Sequence, residues 1–329
     1  METTLDLSRW RERPRSVAYR RWTIAQLGLR QLLSTRLFRL VLIVAWTAGL
    51  LIAASAFVFS QAVSTGGWLE TYAAQLGPRF SAIASAIGAL ILLYPDICVG
   101  GLFTLLFWAQ SSLALTLSLV ALTIVVPGLV TRDRASEALT VYLSRPLTSV
   151  DYLLGKLGIV AGVLLLTWTG PLLAGWLLGM VLAPGRDFIV YSLEPLGRAL
   201  LFNGIGLVSI ASLALGVSAL TRTSRNTILL WLGLWLIVGG IAQAPNNPEW
   251  LRRASFTYDL DQIRKTILKP ADALRKAGSS LPLLDRNLAR NLQTMGNAVD
   301  SGGAAGPLLG LGVIVVLSSA VFFRRLRPE

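Results

Sequence analysis

"ICVGGLFTLLFWAQSSLALTLSLVALTIVVPGLVT" runs from Ile97 to Thr131, 35 residues without one charged side chain. Directly after it, "RDRASEALTVYLSRPLTSVDYLLGK" runs from Arg132 to Lys156, and 29 more uncharged residues extend from Leu157 to Gly185. About 20 apolar residues in a helix cross the roughly 30 Å of hydrocarbon in a bilayer. The two flanking stretches therefore read as membrane spans. The strip between them is charged and patterned, where a plain connector needs only a few polar residues.

Composition agrees. The chain is 54% hydrophobic and 14% charged, with a mean hydropathy of +0.63, whereas a soluble domain is about a quarter charged. The fold class expected is an all-α membrane protein. There is no His and a single Cys, Cys98. A disulfide within the chain is excluded, as are a zinc, copper or haem site built on His or paired Cys and a Ser-His-Asp triad. The net charge of +13 is explained by Lys and Arg gathering on the cytoplasmic side of a membrane protein, so no nucleic-acid partner is expected. The first 39 residues are basic and open on no short apolar core, so no cleavable signal peptide is expected.

Six charge-free runs are long enough to span: Leu40–Leu69, Ile97–Thr131, Leu157–Gly185, Ala199–Thr221, Asn226–Pro248 and Ser301–Phe323. Their apolar parts fall near 39–60, 105–130, 157–183, 199–220, 227–244 and 306–323. Phe80–Pro95 has 16 uncharged residues, short for a span, and reads as a re-entrant or interfacial helix on the outer side.

Orientation follows from the basic residues. Nine Arg precede residue 40, the strip carries four basic residues, Arg222 and Arg225 lie in the short loop Thr221–Arg225, and three Arg follow Phe323. The short loops on the other side hold only Arg79, Arg186 and Arg198. Both termini are thus expected in the cytoplasm of a cell (inner) membrane. The domains expected are a basic tail and interfacial helix over 1–39, a six-span domain over 40–323, and a cytoplasmic tail over 324–329. Within the middle unit, loop 131–156 is cytoplasmic and loop 245–305 lies outside.

Loop 245–305 reads as a small helical structure. "KPADALRKAG" places Pro270 at a helix start and Gly278 at its end, and Leu281, Leu284, Leu288, Leu292, Met295 and Val299 recur at helical spacing. It serves either as a cap sealing the last two spans or as a surface for substrate or partner.

Arg20 to Arg39 mixes Trp22, Leu33 and other apolar residues with Arg20, Arg21, Arg30, Arg36 and Arg39. Basic side chains beside an apolar face suit a helix lying in the headgroup layer, with membrane lipid as its partner. Inside the spans, the pairs Gly158/Gly162, Gly175/Gly179 and Ser212/Gly216 allow close helix packing. Pro171 should distort the third span. Gln110, Asn203 and Trp residues are the few polar groups at depth, and no acid lies there to relay protons.

Within the strip, Ala135, Ala138, Leu139 and Tyr142 fall on one helical face with Leu143 beside them, while Arg132, Asp133, Arg134 and Glu137 supply polar faces. Pro146 disfavours helix at Arg145 and ends the segment after Ser144. Thr148 and Asp151 then form a capping box, with Leu147 and Tyr152 as its hydrophobic staple. The new helix runs through Gly155-Lys156 into the third span, where Lys156 can snorkel. A short amphipathic helix, a stop and a fresh start suit either a lever touched by a soluble partner or a connector resting on headgroups.

"DRASEALTVYLSRPLTSVDYLLGK", Asp133 to Lys156, resembles the loop between the second and third spans of ABC-2 type ABC-transporter permeases. The matching positions are Asp133, Arg134, Leu139, Tyr142, Leu143, Ser144, Arg145, Pro146, Gly155 and Lys156. Where many members carry Gly-Thr after the charged start, this chain has Glu137-Ala138. "IAQLGLRQLLSTRLFR", Ile24 to Arg39, resembles the family's N-terminal interfacial helix.

The resemblance implies a permease, an exporter, that forms a homodimer or a closely related heterodimer. It would dock its coupling helix on a separate ABC-type ATP-binding subunit. The chain has no Gly-x-x-x-x-Gly-Lys-Ser/Thr loop to cradle phosphates. It is therefore expected to be no enzyme and to carry no cofactor of its own, with ATP and Mg held by the partner. A membrane scaffold or assembly factor recruiting soluble proteins is the alternative.

Overall fold

The structure is a computed structural model and describes residues 16–63, 67–135, 149–182, 186–244, 247–280, 286–300 and 302–326. Six helices are long and apolar enough to cross a membrane: Arg36–Val63, Pro95–Asp133, Val150–Leu182, Phe188–Leu220, Ser224–Ala242 and Ala305–Arg325. Among the described residues there is no strand. The chain is an all-helical, multi-pass membrane protein.

Several helices outrun the apolar stretches read from the sequence. The second begins at Pro95 rather than near 105. Pro95 stands at the helix start and Asp96 lies in the first turn, where a missing N–H costs nothing and a negative charge meets the positive end of the helix dipole.

The second and fourth spans form the centre, with 61% and 56% of their most apolar stretch buried; the fifth and sixth have only 22% and 17%. The core is aromatic: Trp168, Trp231, Phe38, Phe103, Phe107, Phe202 and Phe322 are all fully buried. Small residues set the seams. The backbones of the first and third spans touch, since a Cβ at Gly49 would run into the carbonyl of Pro171 and one at Gly175 into that of Gly49. Gly179 faces Ala56 and Gly216 faces Ser318 on the sixth span. In lipid, such close approach supplies the packing that a hydrophobic drive cannot.

The N-terminal helix, Val17–Leu33, departs from expectation in two ways. It stops at Ser34 and Thr35, so Arg36–Arg39 belong to the first span's helix. It also does not simply lie on headgroups. Ile24, Ala25 and Leu29 seat against Gly155, Gly158 and Gly162, and Gly28 against Ile159. Its apolar face is spent on the start of the third span, because those glycines leave a groove for it. Trp22 and Leu27, 62% and 61% exposed, stay on the free side.

The third span contains a π-helical turn, Leu165–Thr169, just ahead of Pro171. Proline supplies no N–H, and the widened turn frees carbonyls that other helices then take up. The fifth span has a second such turn, Gly233–Val238.

The segment after the fifth span differs most from the sequence expectation. Its helices are Glu249–Arg253, Phe256–Leu268, Pro270–Ser280 and Arg286–Val299. Phe256–Leu268 packs deeply against the spans. The Phe256 ring lies 6.4 Å from that of Trp231, whose indole N–H donates to the carbonyl of Leu119 in mid-span (3.2 Å). Thr257 packs on Gly239. At the other end Lys269 lines a cavity of about 370 Å³ together with Gly100 and Gly101, near the start of the second span. This helix therefore folds back among the spans and climbs out again, with Phe256, Leu260, Ile263 and Leu268 buried. Pro270 starts the next helix as expected, but Gly278 does not end it; the helix continues to Ser280. A Cβ at Gly278 would press on the carbonyl of Ala289 (2.9 Å), so this glycine serves close packing. Leu281 and Leu284 lie outside the described residues, while Leu288 and Met295 are exposed.

Candidate functional site

The described part of the strip is its two roots. The first root is the end of the second span and the short helix Thr131–Ala135. Thr131 is fully buried. Its hydroxyl donates to the carbonyl of Ser218 (2.8 Å) and lies 3.0 Å from that of Thr227. The Ser218 hydroxyl in turn accepts from the backbone N–H of Val130 (2.9 Å). Hydroxyls thus fasten the second, fourth and fifth spans together immediately before Arg132.

The second root is the helix beginning at Ser149. Asp151 sits in its first turn and accepts from Arg21 of the N-terminal helix, Nε at 2.8 Å and Nη2 at 2.5 Å. The capping box read from the sequence pairs Asp151 with Thr148, which lies outside the described residues; Asp151 also holds Arg21.

The two roots are joined. Asp133 Oδ2 pairs with Lys156 Nζ at 2.7 Å and accepts from the hydroxyl of Tyr152 at 2.8 Å. Tyr152 lies 3.1 Å from the carbonyl of Leu129 and Lys156 donates to that of Gly128 (3.3 Å). The Lys156 ammonium also lies 5.4 Å from the centre of the Tyr152 ring. Lys156 is only 8% exposed. It was expected to snorkel; it is instead buried against a carboxylate, a carbonyl and a ring, which together replace its water.

The sequence-predicted residues divide as follows. Asp133 is brought into this cluster, and Arg21 pairs with Asp151 on the second root. Arg132 is exposed beside it, and Trp22, Arg30, Leu33 and Arg36 are exposed away from it. Arg134 and Ala135 are in the short helix and Arg20 in the N-terminal one. Glu137, Leu139, Tyr142, Leu143, Ser144, Arg145 and Pro146 lie outside the described residues. Sequence reasoning missed the hydroxyl junction, although Thr131, Ser218, Thr221 and Thr227 all border the basic loops.

A second polar cluster lies deep between the spans. The π turn of the third span receives Gln110 Nε2 on the carbonyl of Trp168 (3.2 Å), Trp46 Nε1 on that of Leu166 (3.2 Å) and Asn203 Nδ2 on Thr169 Oγ1 (3.3 Å). Ser118 and Thr167 share a bond of 2.8 Å. The polar groups noted at depth thus converge from the first, second and fourth spans onto one turn.

Neither cluster has a nucleophile, base and acid arranged for bond-breaking. Among the described residues no group of three or more His, Cys, Asp or Glu could hold a metal ion. The arrangement can fix geometry and carry displacement between a loop and the spans behind it. No family model matches the sequence, and no curated protein matches it.

Proposed function

We propose that this chain is the permease subunit of an ATP-driven ABC transporter, an exporter of the ABC-2 type, in a cell (inner) membrane with both termini cytoplasmic. It pairs with a second permease copy or a close relative and with a separate ATP-binding subunit docked on loop 131–156. The support is the joining of the strip's two roots. Asp133 holds Lys156 and Tyr152, and Asp151 holds Arg21. A push on the strip then moves the end of the second span, the start of the third and the N-terminal helix as one piece. A passive connector needs no such bracing. The fifth and sixth spans, mostly exposed and apolar, leave area for a second copy.

The experiment is affinity purification of the chain from its own membranes. An ATPase of nucleotide-binding-domain size should accompany it, and hydrolysis should disappear when that subunit is removed. Hydrolysis that persists in the chain alone would refute a separate motor.

A further inference from the structure

The cavity of about 370 Å³ that Lys269 lines opens between the start of the second span, the early turns of the fourth and the helix Pro270–Ser280. Its charged lining is balanced: Asp96, Glu194 and Asp272 against Arg198, Lys269 and Lys276. The pairing of these groups within the chain is incomplete. Arg198 is held by Glu194. Lys276 reaches Asp96 only at 3.8 Å, and Arg275 reaches Asp272 only at 3.8 Å. Lys269 is exposed and makes no ion pair among the described residues. It also stands apart in its backbone. Among the described residues it is the only non-glycine with a positive φ, at φ 53° and ψ 48°. Glycine usually fills such a left-handed helix cap, because a Cβ is penalised there. This lysine thus costs stability and gains no charged partner within the chain. Strained positions of this kind collect at ligand sites. Opposite it the second span presents Gly100 and Gly101, and nothing lies within 4 Å of a Cβ at Gly101. The wall there is bare helix backbone, open to a ligand.

We infer that this cavity binds a zwitterion of the phosphoethanolamine kind, with an ammonium and a phosphate a few bonds apart. Lys269 would hold the phosphate, and Asp272 and Asp96 the ammonium. A singly charged ligand meets one sign of the lining correctly and the other wrongly; a zwitterion meets both. The anionic end is a phosphate on chemical grounds. The flat fork of a carboxylate suits arginine, and Arg198 is already taken by Glu194, whereas lysine serves phosphate as a compact point charge on a flexible stem. Phosphoethanolamine occurs as a free solute and as a lipid headgroup, and the test below separates the two.

Binding is a property of this chain alone and needs no ATPase, so its failure would leave the permease proposal untouched. The purified full chain in detergent is titrated by calorimetry with glycerophosphoethanolamine, glycerol phosphate and ethanolamine. The zwitterion should bind about tenfold more tightly than either singly charged fragment, the worth of one further contact to a charged group. Lys269→Gly is the deciding variant. Glycine relieves the left-handed cap, so the thermal midpoint should hold or rise, while affinity for the zwitterion falls about tenfold. Asp272→Asn should weaken the zwitterion without weakening glycerol phosphate. Dihexanoyl phosphatidylethanolamine is titrated beside the soluble compound. Tighter binding of the acylated form assigns the site to a lipid headgroup and equal binding to a free solute; both support the inference. Absence of binding, equal binding of the zwitterion and its fragments, or wild-type affinity in Lys269→Gly overturns it.

Discussion

Lys156 at the head of the third span and Asp133 at the foot of the second are held 2.7 Å apart, with side chains only 10% and 19% exposed. The entire strip is the loop closed by that pair. Its two ends cannot separate without stranding an ammonium that has little access to water.

Removing one partner of a buried pair costs about 3–5 kcal/mol, because the other charge remains. Asp133→Asn should therefore lower stability by about 3 kcal/mol, and Lys156→Met by a similar amount. The double variant Asp133→Asn/Lys156→Met should lose clearly less than the sum, since interacting sites are not additive. Thermal unfolding of all four proteins in one detergent measures this. Strict additivity would show that the two residues do not act together.

The glycine seam makes a paired prediction. A methyl at Gly175 would meet the backbone carbonyl of Gly49, which cannot rotate aside, whereas nothing lies within 4 Å of a Cβ at Gly204. Gly175→Ala should destabilise by about 1–3 kcal/mol, the usual cost of overpacking. Gly204→Ala should be neutral or stabilising by up to about 1 kcal/mol through helix propensity. The midpoints of the two variants, measured side by side, should move in opposite directions or at least differ by that margin. Equal shifts would mean that the first and third spans are not in backbone contact.

The six spans were legible because a bilayer demands long charge-free runs, and this chain breaks them cleanly with Arg and Lys. The small pairs Gly158/Gly162 and Gly175/Gly179 were legible for the same reason: close packing needs a missing side chain. What escaped was every feature in which a charge is buried. "FTYDLDQIRKTIL" has Phe256, Leu260 and Ile263 on one face, but Asp259, Asp261, Arg264 and Lys265 made it read as part of an outer loop. Lys156 read as a snorkelling residue because its partner is brought near only when the strip folds back. The N-terminal helix shows the remaining ambiguity. The spacing of Ile24, Ala25 and Leu29 is the same whether the face meets lipid or a groove of glycines on another helix.

Orientation is tested by labelling. Single Cys residues at Ser16, Ser149 and Ser279, each in a Cys98→Ser background, should react from the cytoplasmic side, the cytoplasmic side and the outer side. Reaction of position 149 from outside would invert the topology and remove any contact between the strip and a cytoplasmic ATPase.

The strip itself supplies the sharpest test of coupling. If Leu139 and Tyr142 enter a cleft on the ATPase, they form a small anchor of the kind whose truncation costs about 2 kcal/mol or more. Leu139→Ala combined with Tyr142→Ala should weaken association with the ATPase. Membrane insertion should survive, because neither residue lies in a span. Pro146→Ala should act differently. It removes the stop that the sequence places in the strip, so that the helices expected on either side can merge. The merged helix would pull against roots fixed by the Asp133–Lys156 and Asp151–Arg21 pairs. That variant should still bind the ATPase but transport poorly, with hydrolysis no longer stimulated by substrate. Both proteins are compared with the wild type by pull-down and by ATP hydrolysis at matched membrane levels. Normal association and normal stimulation in both would reduce the strip to a connector resting on headgroups. The basic N-terminal segment would then be the remaining feature able to recruit a soluble protein, as a scaffold requires.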